Sequence, residues 1–206
     1  MKKWEFGALN IYDYHQKGTL EIYFDFIRKN FNKLEGNIFE FGVFQGKSLL
    51  ATALMLKKLG SNKRVFGFDS FSGFPSYHEK DDFIQFKYLY ESEKIAKTHY
   101  EDCIKNKSIR KLYLLDDVKL EPKNVSNSGD FSDNNYQMLL KKIEYLKLDN
   151  ITLYKGSFKD SLSSGTDYGK AMCCLIDCDL YESYKYSLPL AWKSTVENGM
   201  LYLDEY

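Results

Sequence analysis

What the chain lacks narrows its class first. It carries no charge excess of either sign, because lysine plus arginine and aspartate plus glutamate stand at 29 each. A dedicated nucleic-acid binder usually carries a basic excess, so no nucleic-acid partner is expected. The four cysteines, Cys103, Cys173, Cys174 and Cys178, form no C-x-x-C pair. Three of them crowd one apolar stretch, which reads as small buried hydrophobes in a reduced compartment rather than as a zinc site. Lys2 and Lys3 are followed by no apolar segment, so no secretory signal peptide is read. The longest clean apolar run, residues 49–56, falls far short of the roughly 20 residues that span a bilayer. No membrane partner is expected, and the expected location is cytoplasmic. Prolines number only three, and no repeat or low-complexity tract is present.

What is present is aromatic and periodic. Seventeen tyrosines and fifteen phenylalanines supply a large core, and 206 residues suit one domain. Residues 1–20 read as irregular. The stretch 20–34 has apolar residues at helical spacing, 36–43 reads as a buried strand, 46–60 as a helix with Gly60 as its stop, and 64–71 as a second strand. Helix, strand, helix, strand is the opening of a parallel α/β sheet. Residues 72–131, with a helix near 88–106, are too long for a plain connection and read as an insertion or lid. The next helix is 134–148, with Ser132 or Asp133 as its cap. Strands follow at 150–158 and 171–179. Residues 181–196 read as helical with a kink or break at Pro189, and a fifth strand covers 198–206. The expected organisation is one domain over 1–206, with 1–35 as an N-terminal helical segment on the substrate side.

The first strand–helix turn reads Glu40-x-Gly42-x-x-x-Gly46. Neither the G-x-G-x-x-G dinucleotide fingerprint nor the phosphate-binding P-loop fits it, because Glu40 and Phe44 flank Gly42 and Phe41 stands where the P-loop needs glycine. The glycines still let a ligand approach the backbone. Glu40 suits a cationic or hydroxyl-rich ligand end rather than a pyrophosphate. Asp69, at the end of the second strand, is placed to take the hydroxyls of a ribose. Together these describe a nucleoside with a cationic tail and no diphosphate, which S-adenosyl-L-methionine satisfies. A nicotinamide dehydrogenase is the α/β alternative, and the absent fingerprint speaks against it.

Two more strands end in acids. The apolar run 173–176 stops at Asp177 and Asp179, and the last strand stops at Asp204 and Glu205. In a parallel sheet these tips share one crevice. Two carboxylates 4 Å apart repel by roughly 4 kcal/mol at an effective dielectric near 20, so such a cluster calls for a cation or for protonation. Oxygen ligands suit Mg²⁺ or another hard divalent cation. The plainer alternative is acids that cap helices or are solvated at strand ends.

The stretches FEFGVFQGKS, FGFDSFSGFP, ITLYKGSFKDSL, LIDCDLYESYKYSL and ENGMLYLDEY resemble, in order and spacing, the class I S-adenosylmethionine-dependent methyltransferases. More narrowly the chain resembles the macrocin O-methyltransferase family, whose members methylate sugar hydroxyls with help from a divalent metal. The resemblance covers roughly residues 36–75 and 132–206, and DCDLYES and FDSFSGFP are its specific parts. It implies a Rossmann-like, mostly parallel sheet with helices on both faces. It implies that Glu40, Gly42, Gly46 and Ser48 hold the methionine end of the cofactor, with Asp177 nearby. Asp69 and Ser70 would hold the ribose, and Gly156, Ser157 and Phe158 the adenine edge. Metal ligation would fall on Asp179, Asp204 and Glu205, the last standing where the family commonly has aspartate.

The expected reaction is in-line methyl transfer to a sugar hydroxyl, of a glycan or a glycosylated small molecule, with Asp179 as base and Asp177 next. His15, His78 and His99 are weaker alternatives. Tyr12, Tyr14 and Tyr181 could stack on a sugar ring. The sequence stops at Tyr206, before the helix and antiparallel strand pair that follow strand five in class I methyltransferases. The expected sheet therefore lacks that pair, a second copy of the chain could pair with its edge, and a catalytically inactive or truncated S-adenosylmethionine-binding module is the alternative function.

Overall fold

The computed structural model of the chain describes residues 1–113, 129–162 and 165–204. Five short strands build its centre: β1 (Asn37–Phe41), β2 (Val65–Asp69), β3 (Ile151–Lys155), β4 (Ala171–Ile176) and β5 (Thr195–Leu203). They form one sheet in the order β3-β2-β1-β4-β5, and every pairing is parallel. The middle strands are buried, whereas β3 and β5, at the two edges, are half-covered. That gradient is why β4 reads as an unbroken apolar run and β3 does not.

Helices lie on both faces. Side-chain alternation sends Ile38, Val65, Cys173 and Leu175 to one face, where α1 (Lys3–Ala8), α2 (Glu21–Asn30), α3 (Lys47–Lys58) and a helix at Tyr136–Tyr145 pack. Phe39, Phe41, Phe68, Cys174 and Ile176 go to the other face, against a short helix at Phe158–Leu162 and a longer one at Tyr181–Ser194. The neighbouring Cys173 and Cys174 therefore serve opposite cores as buried hydrophobes. The fold is the α/β class expected from the helix–strand alternation.

The described residues fall into two compact units. One comprises residues 1–71 with 134–206 and holds the sheet; the other is 72–133. The second contains a 3₁₀ turn at Glu79–Asp81, α4 (Ile84–Glu91) and α5 (Lys97–Tyr113). The single helix expected near 88–106 is thus two, separated at Glu93, which adopts a left-handed φ of 56°. Tyr90 and Tyr100 stack across that break, their ring centroids 4.9 Å apart. In chain order the remaining helices are α6 (Tyr136–Tyr145), α7 (Phe158–Leu162) and α8 (Tyr181–Ser194).

Four local expectations are corrected. Residues 3–8 are helical, because Phe6 is drawn into the core under Tyr14. The cap of α6 is Asn135, whose side-chain oxygen accepts from the Met138 N–H at 2.9 Å, and not Ser132 or Asp133. α8 runs through Pro189 without a break, held on the sheet by buried Ser187 and Ala191. β5 begins at Thr195, directly at the end of α8, and not at 198; Asn198, at φ 61°, lies where the β4–β5 register shifts.

Candidate active site

The sheet order places a topological switch between β1 and β4, where chain connections leave in opposite directions. In open parallel sheets ligands bind there, outside the carboxyl ends of the strands. The hydrogen-bond ladder runs one residue past the strand ends at this edge. Gly42 N–H donates to Phe68 O, Gly156 N–H to Asp69 O, Asp177 N–H to Phe41 O and Asp204 N–H to Ile176 O, at 2.9–3.1 Å. Registers then align Lys155, Asp69, Gly42, Asp177 and Asp204 across the sheet. Phe41, Phe68, Ile176 and Leu203, one step earlier, all face the core under α7 and α8. The next residues therefore face the α3 side, together with Glu40, two residues before Gly42. Four acids from four strands converge on one face of one edge.

Gly42 keeps that row closed. Its φ is +90°, and a Cβ there would sit 1.6 Å from the carbonyl oxygen of Asp177. Only a residue without a side chain lets β1 and β4 meet at this level. Past it the chain turns through Phe44, at φ 48°, to Gly46, at φ 79°, which starts α3. The N-terminal segment rests on this turn: Asn10 Nδ2 donates to Gln45 Oε1 at 2.9 Å, and Tyr12 N–H to Lys47 O at 3.2 Å.

Glu40 is fully buried. Ser48 Oγ donates to its Oε1 at 2.7 Å, and the Leu49 N–H also bonds the carboxyl. Its Oε2 has no partner among the described residues. Burial raises its pKa from 4.5 to about 8; Asp177 and Asp69 push the same way, and the bonds from Ser48 and Leu49 oppose them. Tyr12 stands over the same acids. Its phenol pKa is raised by burial first and then by the charges of Asp177, Asp204 and Glu40. Tyr202, anchored by its hydroxyl to Thr19 O at 2.7 Å, is raised by burial and then by Asp204 and Asp177.

Asp69 has a structural task that its sequence position did not disclose. Its Oδ2 accepts from the Val43 and Phe44 N–H groups, each at 2.8 Å, and its Oδ1 from the Phe71 N–H at 2.6 Å. Phe44 and Phe71 both have left-handed φ, 48° and 51°. One carboxylate thus pins the strained turns after β1 and β2. Asn134 adds a longer contact, Nδ2 to Oδ1 at 3.4 Å; nothing in the sequence marked this residue.

On the far side of Asp69, Gly156 follows β3 with φ 153°. Ser157 caps α7: its hydroxyl donates to Asp160 Oδ2 at 2.6 Å and accepts from the Asp160 N–H at 3.2 Å. Phe158 packs edge-on against Phe41, with centroids 6.2 Å apart. Ser70 lies at the tip of β2, half-buried.

The structure separates Asp177 from Asp179. β4 ends at Ile176, Asp177 continues the ladder, and Asp179 lies beyond it in a left-handed conformation at φ 58°, exposed. The period-two relation between them ends with the strand. Asp204 is exposed beside Asp177, and Glu205 lies outside the described residues. Among the described residues no three histidine, cysteine or acidic side chains form a group able to hold a metal ion. Of the expected Asp179, Asp204 and Glu205 set, only Asp179 and Asp204 fall among the described residues.

His15 does not join the row, and His78 and His99 belong to the other unit. His15 bonds Asp13 Oδ1 at 2.9 Å and the Lys58 ammonium at 3.0 Å. Lys58 is at the far end of α3, about 16 Å from its start at a 1.5 Å rise per residue. His78 caps the 3₁₀ turn and accepts from the Lys80 N–H at 3.1 Å, while His99 lies 3.8 Å from the Cys103 sulfur, within α5. Tyr14 is buried between Phe6 and Phe24 and cannot present a face to a ligand; Tyr12 and Tyr181 are exposed. No helix among the described residues is long and apolar enough to cross a membrane.

Comparison with known proteins bears on this geometry. The profile of the Macrocin-O-methyltransferase (TylF) family matches residues 24–150. The fold is similar to that of the O-methyltransferase NovP, with a TM-score of 0.58 and 17% identity over 87% of this chain and 60% of that one. It is also similar to CalS11, a calicheamicin methyltransferase, with a TM-score of 0.59 and 15% identity over 98% of this chain and 65% of that one. The chain thus spans under two thirds of the length of either structure, and at these identities the likeness is one of fold. No curated protein sequence matches it.

Proposed function

The chain belongs to the macrocin-O-methyltransferase family, and from that premise we propose that it transfers a methyl group from S-adenosyl-L-methionine to a hydroxyl of a sugar. The observation that carries the reading is Glu40: a fully buried carboxyl beside the glycine turn, with one oxygen that has no partner among the described residues. A buried acceptor left unpaired costs about 1–3 kcal/mol, and a cationic donor placed against it removes that cost. The ammonium of a methionine tail is such a donor, and the turn at Gly42 and Gly46 lets it reach the backbone. The residues present fit the cofactor.

When bound, the cofactor's sulfonium gives its methyl group to an acceptor oxygen and is left as a neutral thioether. Everything else falls to the protein. Glu40 fixes the tail, and Asp69 holds the two turns that shape the nucleoside side. The tip of β4 supplies the proton acceptor, since the acceptor hydroxyl must lose its proton as the C–O bond forms. Asp179 and Asp177 are the two candidates. Asp177 has the support of its place in the row, next to Gly42 and under Tyr12. Tyr12, kept protonated, can donate to an acceptor oxygen, and the side-by-side acids Asp177 and Asp204 suit a partner rich in hydroxyls. That chemistry agrees with the sugar acceptor implied by the family resemblance. Because Glu205 lies outside the described residues, no step is routed through magnesium; a divalent-metal requirement held by Asp179, Asp204 and Glu205 stands as a separate proposal.

Calorimetric titration with S-adenosylhomocysteine, with and without Mg²⁺, tests the reading on wild type and Asp179→Ala. Nucleoside binding by both proteins is the expected result, and no binding by wild type would sink the proposal. Methyl transfer to a panel of sugars then identifies the acceptor. Asp177→Asn should lower kcat by about 10²–10⁴-fold, the usual contribution of a positioned base, with nucleoside affinity little changed. Loss of turnover on chelation and its return with Mg²⁺ would establish the metal requirement; turnover indifferent to chelation would remove it.

A further inference from the structure

We propose that Asn134 is a ribose-binding residue, and that it shares the two hydroxyls of the nucleoside's diol with Asp69. The assignment rests on the S-adenosyl-L-methionine reading above and deepens it. An acid at the tip of the second strand is ordinarily free to take both hydroxyls of a ribose. Asp69 is not. A carboxylate offers about four lone-pair sites. Both sites on Oδ2 are filled by the Val43 and Phe44 N–H groups, and one on Oδ1 by the Phe71 N–H. The remaining site is met only by the Asn134 Nδ2 contact, which at 3.4 Å is long. Asp69 therefore has capacity for one hydroxyl, and a diol brings two.

The second acceptor is already beside it. Asn134 Oδ1 is buried and has no partner among the described residues. The amide's orientation is set by its neighbour, since its NH₂ must face the Asp69 carboxylate and its carbonyl arm must turn elsewhere. The two arms share one carbon, so that carbonyl lies within reach of the second of two adjacent hydroxyls. Asn150 Oδ1 is also buried without a partner among the described residues, but only the Asn134 oxygen stands beside the Asp69 carboxylate at the carboxyl ends of the strands. Its flank suits a nucleoside too. Tyr136, two residues on, packs on Phe71 at a centroid distance of 4.7 Å and lies 5.1 Å from the Lys155 ammonium.

The test measures binding of S-adenosylhomocysteine and of its 2′-deoxy and 3′-deoxy analogues. Wild type should lose about three- to tenfold in affinity on removal of either hydroxyl, the worth of one net hydrogen bond. Asn134→Ala should lose a similar factor for the parent compound and nothing further for one of the two analogues. Asn134→Ser, checked for the same melting temperature as wild type, repeats the measurement with less disturbance of Asp69. If only one hydroxyl matters to wild type, or if the losses from the substitution and from each analogue simply multiply, the diol assignment is overturned. Wild type that binds none of the three compounds overturns the methyl-donor reading itself.

Discussion

Replacement of Glu40 by glutamine isolates a single buried proton. The folded chain releases it near pH 8, against an ordinary glutamate value of 4.5. Between those values the folded state holds one proton more than the unfolded state, so stability falls as pH rises across the window and is level outside it. At about 1.4 kcal/mol per pH unit the full effect is about 5 kcal/mol. From pH 6 to pH 9 the wild type should lose about 3 kcal/mol at this site. For a chain of this length that is about 6–12 °C in melting temperature. Glu40→Gln keeps an oxygen for Ser48 and Leu49 and has no proton to lose, so its melting temperature should not share that fall. Thermal melts of both proteins at half-unit pH steps provide the assay. Parallel curves would refute the reasoning, because they would mean that Glu40 is ionised throughout. The same proton predicts that affinity for S-adenosylhomocysteine rises with pH up to about 8 and then levels, with a proton released on binding below that pH, and that Glu40→Gln shows neither effect.

Other perturbations separate the site's framework from its chemistry. Gly42→Ala places a Cβ 1.6 Å from the Asp177 carbonyl oxygen at φ +90°, so urea unfolding should show a loss of more than about 4 kcal/mol, or no folded protein. Asp69→Asn leaves one acceptor oxygen for three N–H groups and should cost about 2–4 kcal/mol, read as a lower urea midpoint; an unchanged midpoint would mean that the two turns hold without it. Asn135→Ala removes the α6 cap and should cost about 1 kcal/mol, largely restored in Asn135→Asp, by the same measurement.

Much of the fold was legible because its signals are local. Short apolar runs marked the five strands, and the apolar spacing of 20–34, 46–60 and 134–148 marked three helices. The misreadings came where a distant partner overrode a local preference. Residues 3–8 become helical because the core receives Phe6, α8 passes Pro189 because Ser187 and Ala191 are buried on the sheet, and Asn135 rather than Ser132 or Asp133 lies at the angle that caps α6. Asp179 read as a partner of Asp177 because the expected strand ran to 179, whereas β4 stops at Ile176.

The sequence alone determined which residue types stand at which strand tips: Glu40 and Gly42 after one apolar run, Asp69 after another, Asp177 and Asp204 after two more. Strand formation and termination depend on neighbours a few positions away, so these placements could be read directly. Tertiary structure decided what the acids do. The strand order set Gly42 between Asp69 and Asp177. Burial against α3 keeps Glu40 protonated. Asp69 is filled by N–H groups 25 and 26 residues earlier and touched by an asparagine 65 residues later. Desolvation and the count of occupied lone pairs are properties of everything packed around a group, and the residues that supply them come from segments that only the folded chain brings together.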